Sequence, residues 1–161
     1  DKTLKKGYTC TLGDDVKFTV LSPDKPFTKE NTQGVSESGL TNDNSIVCKM
    51  TYGQFYIMFT GDAQKEVEEK ILKDYKPSDL KADVLKVGHH GSKTSSSDAF
   101  VKAVAPKAAT ISCAAGNQYK FPHEPTLKTL QKYNVEVYRT DRNGTITITT
   151  DGSSYSIAKE H

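Results

Sequence analysis

Leu85-Lys86-Val87-Gly88-His89-His90-Gly91-Ser92-Lys93-Thr94-Ser95-Ser96-Ser97 is the stretch that decides the fold. A short apolar strand, Asp83 to Val87, runs into two adjacent histidines. Small and hydroxyl residues follow, and Ser97 or Asp98 caps a helix that reaches about Val104. The chain has four histidines, and two of them stand at this one strand end. In α/β proteins, ligands and chemistry sit at the carboxyl ends of strands, where Gly and Ser let the chain turn.

On either side the same alternation continues. Ser45–Met50 and Gln54–Phe59 read as two strands of a hairpin turning at Thr51-Tyr52-Gly53, and the second ends in Thr60-Gly61-Asp62. Ala63–Tyr75 has the helical period, with Val67, Ile71 and Tyr75 on one face, Asp62 as a natural N-cap and Pro77 as the stop. Ala82–Val87 is a nearly continuous apolar run, as in a buried parallel sheet. Ala108–Cys113 is another buried strand, followed by the loop Gly116-Asn117-Gln118-Tyr119-Lys120-Phe121-Pro122-His123. Pro125 then sits in the first turn of a helix to about Tyr133. Val135–Arg139 is a strand, Asp141-Arg142-Asn143-Gly144 a turn, and Thr145–Thr150 and Ser154–Ile157 antiparallel strands. Upstream, Val16–Leu21 alternates as a half-buried strand. Phe27–Asn44 is rich in Ser, Thr, Asn and Gly and is expected to be a long loop.

Strands joined through helices run parallel, so their carboxyl ends share one edge of the sheet. The loops at that edge carry Asp62, then His89 and His90, then Asn117 and His123. A carboxylate and imidazoles on one edge suit a divalent transition metal. They equally suit histidine acid–base catalysis beside an anion site. The residues alone leave both open.

Composition bounds the rest. At 161 residues the chain is long enough to bury a core as one domain. Its net charge of +2 does not by itself point to a polyanion partner. No apolar run approaches the roughly 18 residues a membrane span needs. No signal-peptide pattern is visible after Asp1. Cys10, Cys48 and Cys113 form no Cys-x-x-Cys pair and are expected to be small core residues. No Gly-x-Gly-x-x-Gly follows a strand, which weighs against a dinucleotide site. Residues 158–161 read as a tail outside the domain, left from expression, with 1–157 forming the domain proper.

Phe59-Thr60-Gly61-Asp62 and Ala82-Asp83-Val84-Leu85-Lys86-Val87-Gly88-His89-His90-Gly91-Ser92 resemble the metallo-β-lactamase-fold hydrolases, and within them the hydrolase domain of ComEC competence proteins and their soluble relatives. Asn44-Ser45, Ala115–Tyr119 with Pro122-His123, and Tyr138–Gly144 extend the likeness over nearly the whole chain. The resemblance implies an α/β fold, one half of an αββα sandwich with a mixed sheet and helices. It implies two divalent metals, Zn or Mn, with Asp62 as a bridging carboxylate and His90 as a late histidine ligand. His89 is then a neighbouring active-site group, and the two histidines are not separated with certainty. His123 and Asn117 match groove-lining positions, and Lys86 and Ser92 hold phosphate or support the ligands. The implied activity is metal-dependent phosphodiester hydrolysis, with a nuclease acting on DNA as one form. The implied location is outside the cytoplasmic membrane.

The family's His-x-His-x-Asp-His motif is missing, and residues 1–44 contain no histidine. The chain is therefore expected to represent only the C-terminal half of the domain. Alone it should bind metal weakly or not at all and be inactive, since a catalytic zinc needs about three protein ligands. A half sandwich exposes an apolar sheet face, so self-association is expected. The rival reading is a non-catalytic fragment or binding module.

Overall fold

The computed structural model describes residues 4–32 and 36–161. Its centre is a seven-stranded mixed sheet in sequential order, β1 (Thr9–Leu12), β2 (Val16–Ser22), β3 (Val47–Tyr52), β4 (Phe55–Phe59), β5 (Val84–Lys86), β6 (Ala108–Ile111) and β7 (Glu136–Arg139). The first four strands pair antiparallel and the last four parallel, with β4 the strand common to both halves. The expected α/β architecture with a mixed sheet and helices is present.

Helices α2 (Lys65–Asp74), α4 (Asp98–Val104) and α5 (Glu124–Lys132) supply the parallel crossovers. Their apolar residues Val67, Ile71, Phe100, Val101, Val104 and Leu130 close on one face of the sheet, over Met58, Leu85, Val87, Ala109 and Ile111. The period-2 pleat sends the alternate sheet residues Phe55, Ile57, Val84 and Ala108 to the other face. There Ile148, Tyr155 and Ile157 cover them from a separate hairpin, β8 (Ile146–Thr150) and β9 (Tyr155–Lys159). The order of layers is helices, seven-stranded sheet, two-stranded sheet. On the antiparallel half of that second face, Cys10, Leu12, Phe18 and Met50 share one side by register, and Leu12 is 70% exposed. Among the described residues no helix is long and apolar enough to cross a membrane.

Several expectations need correction. The loop expected over Phe27–Asn44 contains a helix, α1 (Glu37–Asp43), capped by the Ser36 side chain accepting from the Gly39 amide. Of its seven residues only Leu40 is a large apolar residue, so no periodicity announced it. Asp62 does not cap α2: Gln64 stands at the N-cap, and its amide donates to Oδ1 of Asp43 at 3.2 Å. Pro77 does more than stop α2; it opens the single turn α3 (Pro77–Leu80). The turn at Asp141 is wound into α6 (Thr140–Asn143), which ends at Gly144.

The cysteines are not core residues. Cys10 is exposed because β1 is the outermost strand, and Cys48 and Cys113 are half-buried. Residues 158–161 are not outside the fold. Strand β9 runs to Lys159, and Glu160 accepts hydrogen bonds from the amide and hydroxyl of Thr145.

Candidate functional site

The carboxyl ends of β4, β5 and β6 meet as their parallel pairing requires. Backbone bonds lock their loops together. The amide of His89 donates to the Gly61 carbonyl at 3.0 Å, and that of His123 to the Gly91 carbonyl at 2.9 Å. The Thr126 hydroxyl, at the start of α5, donates to the Ser92 carbonyl at 2.9 Å. Two glycines permit this closeness. Gly61 has φ +52, and a Cβ there would stand 2.8 Å from Cβ of Ser45; Gly91 has φ +83, and its Cβ would stand 2.5 Å from Cβ of Pro122. With Gly61 absent of a side chain, Ser45 Oγ comes near enough to accept from the Asp62 amide at 3.0 Å.

Between the loops lies a cleft of about 730 Å³. Asp62, His89, His90, Ser92, Asn117 and His123 all line it, so the strand edge expected from the sequence does bring these side chains together. The two histidines reach it through an unusual backbone. His89 and His90 have φ +47 and +54, the left-handed region that costs a non-glycine residue roughly 1–2 kcal/mol. Consecutive left-handed residues swing both rings into the cleft. Strain of this kind concentrates at functional sites.

His90 is held as a ligand or base should be. Its Nδ1 lies 2.7 Å from the Ser112 carbonyl, which can only accept, so Nδ1 carries the proton. In the neutral ring the lone pair is then on Nε2, which stands 3.5 Å from Oδ1 of Asp62. His89 is half-buried, and burial pushes its pKa below the ordinary imidazole value, with Asp62 opposing the shift. Its Nδ1 is 3.3 Å from the Thr94 hydroxyl, and its Nε2 faces the Asn42 amide nitrogen at 3.5 Å.

The remaining candidates have their polar groups committed to the protein. His123 accepts from the Lys93 amide through Nδ1 at 3.0 Å and donates through Nε2 to the Tyr119 carbonyl at 3.1 Å. Asn117 donates to the carbonyls of Ala114 and Phe121 and accepts from the Phe121 amide, holding its own loop shut. The buried Ser92 hydroxyl pairs with that of Thr94 at 3.0 Å. Lys86 bends onto the Val87 carbonyl at 2.8 Å and does not line the cleft. Burial pushes its pKa down, with the Asp62 charge opposing. These four side chains shape the site rather than face into it with free groups.

Sequence reasoning missed part of the wall. Ser38 and Asn42 enter from α1, which the polar composition concealed. Tyr119 and Phe121 were read only as loop. Their signal was two aromatic residues beside a histidine in a segment otherwise polar.

The donor set decides how far a metal fits. The Asp62 carboxylate and the free Nε2 of His90 suit two positions on a divalent ion, and the Ser112 carbonyl behind Nδ1 is the usual partner of a metal-binding imidazole. Among the described residues no three His, Cys, Asp or Glu side chains converge. The pair fits one side of a metal site, and these residues do not complete one.

No protein-family model matches the chain. Similarity to known proteins runs along most of it. It is 40% identical over 132 residues to ComE operon protein 3 of Bacillus subtilis, covering 82% of this chain and 16% of that protein. It is 33% identical over 144 residues to Recombination protein 2 of Haemophilus influenzae, covering 86% of this chain and again 16% of the relative. It is 35% identical over 105 residues to Competence protein ComA of Neisseria gonorrhoeae, covering 65% of this chain and 15% of the relative. The chain thus spans only about a sixth of the length of these relatives. By sequence, it is related to one short segment of each of several competence-related proteins.

Proposed function

We propose that the chain serves a competence-associated role, the handling of DNA during its uptake, as part of a metal-dependent phosphodiester hydrolase of the metallo-β-lactamase fold. The observation that carries this reading is the Asp62–His90 pair. It combines a carboxylate, an imidazole whose far nitrogen is bonded to the Ser112 carbonyl, and an open cleft around both. Similarity to a competence protein supports the setting.

In this reading Asp62 and His90 are two of the ligands, and the rest come from elsewhere in the full-length protein. A divalent metal bound there would make water a nucleophile near neutral pH. This chain's own residues contribute the positioning. Ser112 holds the far nitrogen of His90, Ser45 fixes the backbone of Asp62, His123 ties the third loop to the second, and Asn117 holds the third loop shut. His89 lines the cleft beside the pair, where in this reading it meets a phosphate oxygen or leaving group. By the family likeness the site works outside the cytoplasmic membrane.

One observation favours a second reading, a binding module without chemistry. Four of the seven candidate side chains are engaged internally, and the described residues supply no third ligand. Phosphodiesterase assays on the full-length protein with added Zn²⁺ or Mn²⁺, beside Asp62→Ala and His90→Ala, separate the two. Metal-dependent hydrolysis abolished in both variants supports the hydrolase. Nucleic-acid binding without hydrolysis in the wild type supports the module.

A further inference from the structure

The cleft has an aromatic ledge that neither the carboxylate nor the histidine chemistry requires. The Tyr119 ring stacks on Phe121 with centroids 5.4 Å apart and planes 20° apart. Phe121 stacks in turn on His90, at 6.1 Å and again 20°. The rings of His89 and His123 meet Phe121 nearly edge-on at 5.4 and 5.1 Å. The result is a short row of near-parallel rings that begins at the proposed reaction centre and ends in solvent.

Its outer member is out of place for a structural residue. Tyr119 is 62% exposed, one of the few large apolar side chains so open, and it lines the cleft. Its backbone carbonyl is held by His123, and its loop is pinned by the three hydrogen bonds of Asn117. The loop so tied presents a ring that stacks on Phe121 and is otherwise largely exposed. Exposing such a ring forgoes the stabilisation that burial would give an aromatic side chain. Lys93 lines the same cleft, adding a positive charge beside the pair.

We infer that Tyr119 is a stacking platform for an unpaired nucleobase next to the phosphodiester, so that the site takes single-stranded nucleic acid. The inference rests on the phosphodiester reading of Asp62 and His90 and specifies its substrate. Bases in a duplex have both faces covered and offer nothing to an exposed ring. An unpaired base has a free face, and stacking on an aromatic side chain is tolerant of sequence. Phe121 acts through Tyr119, as the positioning residue that holds the platform in line with His90.

Binding, measured separately from hydrolysis, tests this. The full-length protein is titrated at one fixed salt concentration, with metal chelated. The probes are fluorescent oligothymidylate, an abasic strand of the same length and charge, and a duplex of that length. Wild type should prefer oligothymidylate to the abasic strand. Tyr119→Ala should weaken oligothymidylate binding about tenfold or more. It should leave abasic and duplex binding within about twofold, and Tyr119→Phe should restore the preference. Equal binding of oligothymidylate by Tyr119→Ala and wild type would overturn the platform while leaving the phosphodiester reading intact. Failure of the wild type to bind any of the three probes would overturn both.

Discussion

His90 and Asp62 face each other across the cleft, Nε2 to Oδ1 at 3.5 Å, while the other nitrogen of His90 is anchored 2.7 Å from the Ser112 carbonyl. The separation is longer than a direct charge-assisted hydrogen bond. The Ser112 carbonyl holds the far nitrogen of the ring, which leaves Nε2 facing the carboxylate. This geometry costs backbone strain, since both His89 and His90 are left-handed.

His90→Asn should remove function and spare the fold. Asparagine tolerates the left-handed region better than most residues, and the His90 ring is substantially exposed. Thermal unfolding should give a Tm no lower than wild type by more than about 2–4 °C, the shift that ~1 kcal/mol produces in a chain of this size. Phosphodiesterase activity of the full-length protein should fall by at least about a hundredfold. A collapse of Tm would assign His90 to the fold instead.

Gly91→Ala should be far more damaging than Gly116→Ala. Both have positive φ, but a Cβ at Gly91 meets Pro122 at 2.5 Å, whereas nothing lies within 4 Å at Gly116. The second change carries only the backbone cost of the left-handed region, about 1–2 kcal/mol. The first adds a clash between the loops that carry His90 and His123, about 1–3 kcal/mol more. Chemical denaturation of the two variants measures the difference, and equal losses would contradict the tight loop contact.

Glu68 fastens the His-His-Gly-Ser loop to α2. Its buried carboxylate accepts from the Ser96 amide at 2.5 Å and the Ser97 amide at 2.8 Å. Glu68→Ala leaves two amides unpaired, and each such buried group costs about 1–3 kcal/mol. Glu68→Gln keeps one acceptor and should lose less. Hydrogen exchange at Ser96 and Ser97 should accelerate in the alanine variant before exchange in β6 does.

Lys86→Met should stabilise the protein at neutral pH and change how stability depends on pH. Burial, opposed by Asp62, lowers the lysine pKa in the folded state below its value of about 10.4 in the unfolded chain. Between the two values the unfolded state holds more protons, so wild-type stability rises with pH across that window and the ammonium is a cost below it. Methionine removes the charge, so denaturation midpoints followed from pH 7 to pH 10.5 should lose this rise. A variant that loses stability at pH 7 would show that the bond to the Val87 carbonyl outweighs desolvation.

The parallel half of the molecule was legible in the sequence because its signals are strong and local. Val84 to Val87 is buried at all positions but Lys86, Val67 and Ile71 mark the inner face of α2, and Ser97 caps α4. From these the shared edge follows, and with it the meeting of Asp62, His90 and His123. What was illegible depends on tertiary contact. Helix α1 is held by its Ser36 cap, by Leu40 and by the link from Asp43 to Gln64, none of which has a periodic signature. Strand β1 is an exposed edge whose pairing with β2 alone defines it. The internal hydrogen bonds of Asn117, Ser92 and His123 were illegible for a similar reason. Polar residues in loops satisfy backbone groups as often as they face ligands, and spacing does not distinguish the two uses.

In the function proposed above, the carboxylate of Asp62, beside His90, carries hydrolysis of a phosphodiester. Asp62→Asn keeps the shape of the side chain and removes its charge. The decisive measurement is metal-dependent kcat/KM of the full-length protein on a phosphodiester substrate, wild type against Asp62→Asn, with Tm recorded for both. We expect a loss of at least about a hundredfold, comparable to removing one preorganised catalytic group, with Tm unchanged. Activity retained within a fewfold of wild type would contradict the assignment of this cleft as the reaction centre.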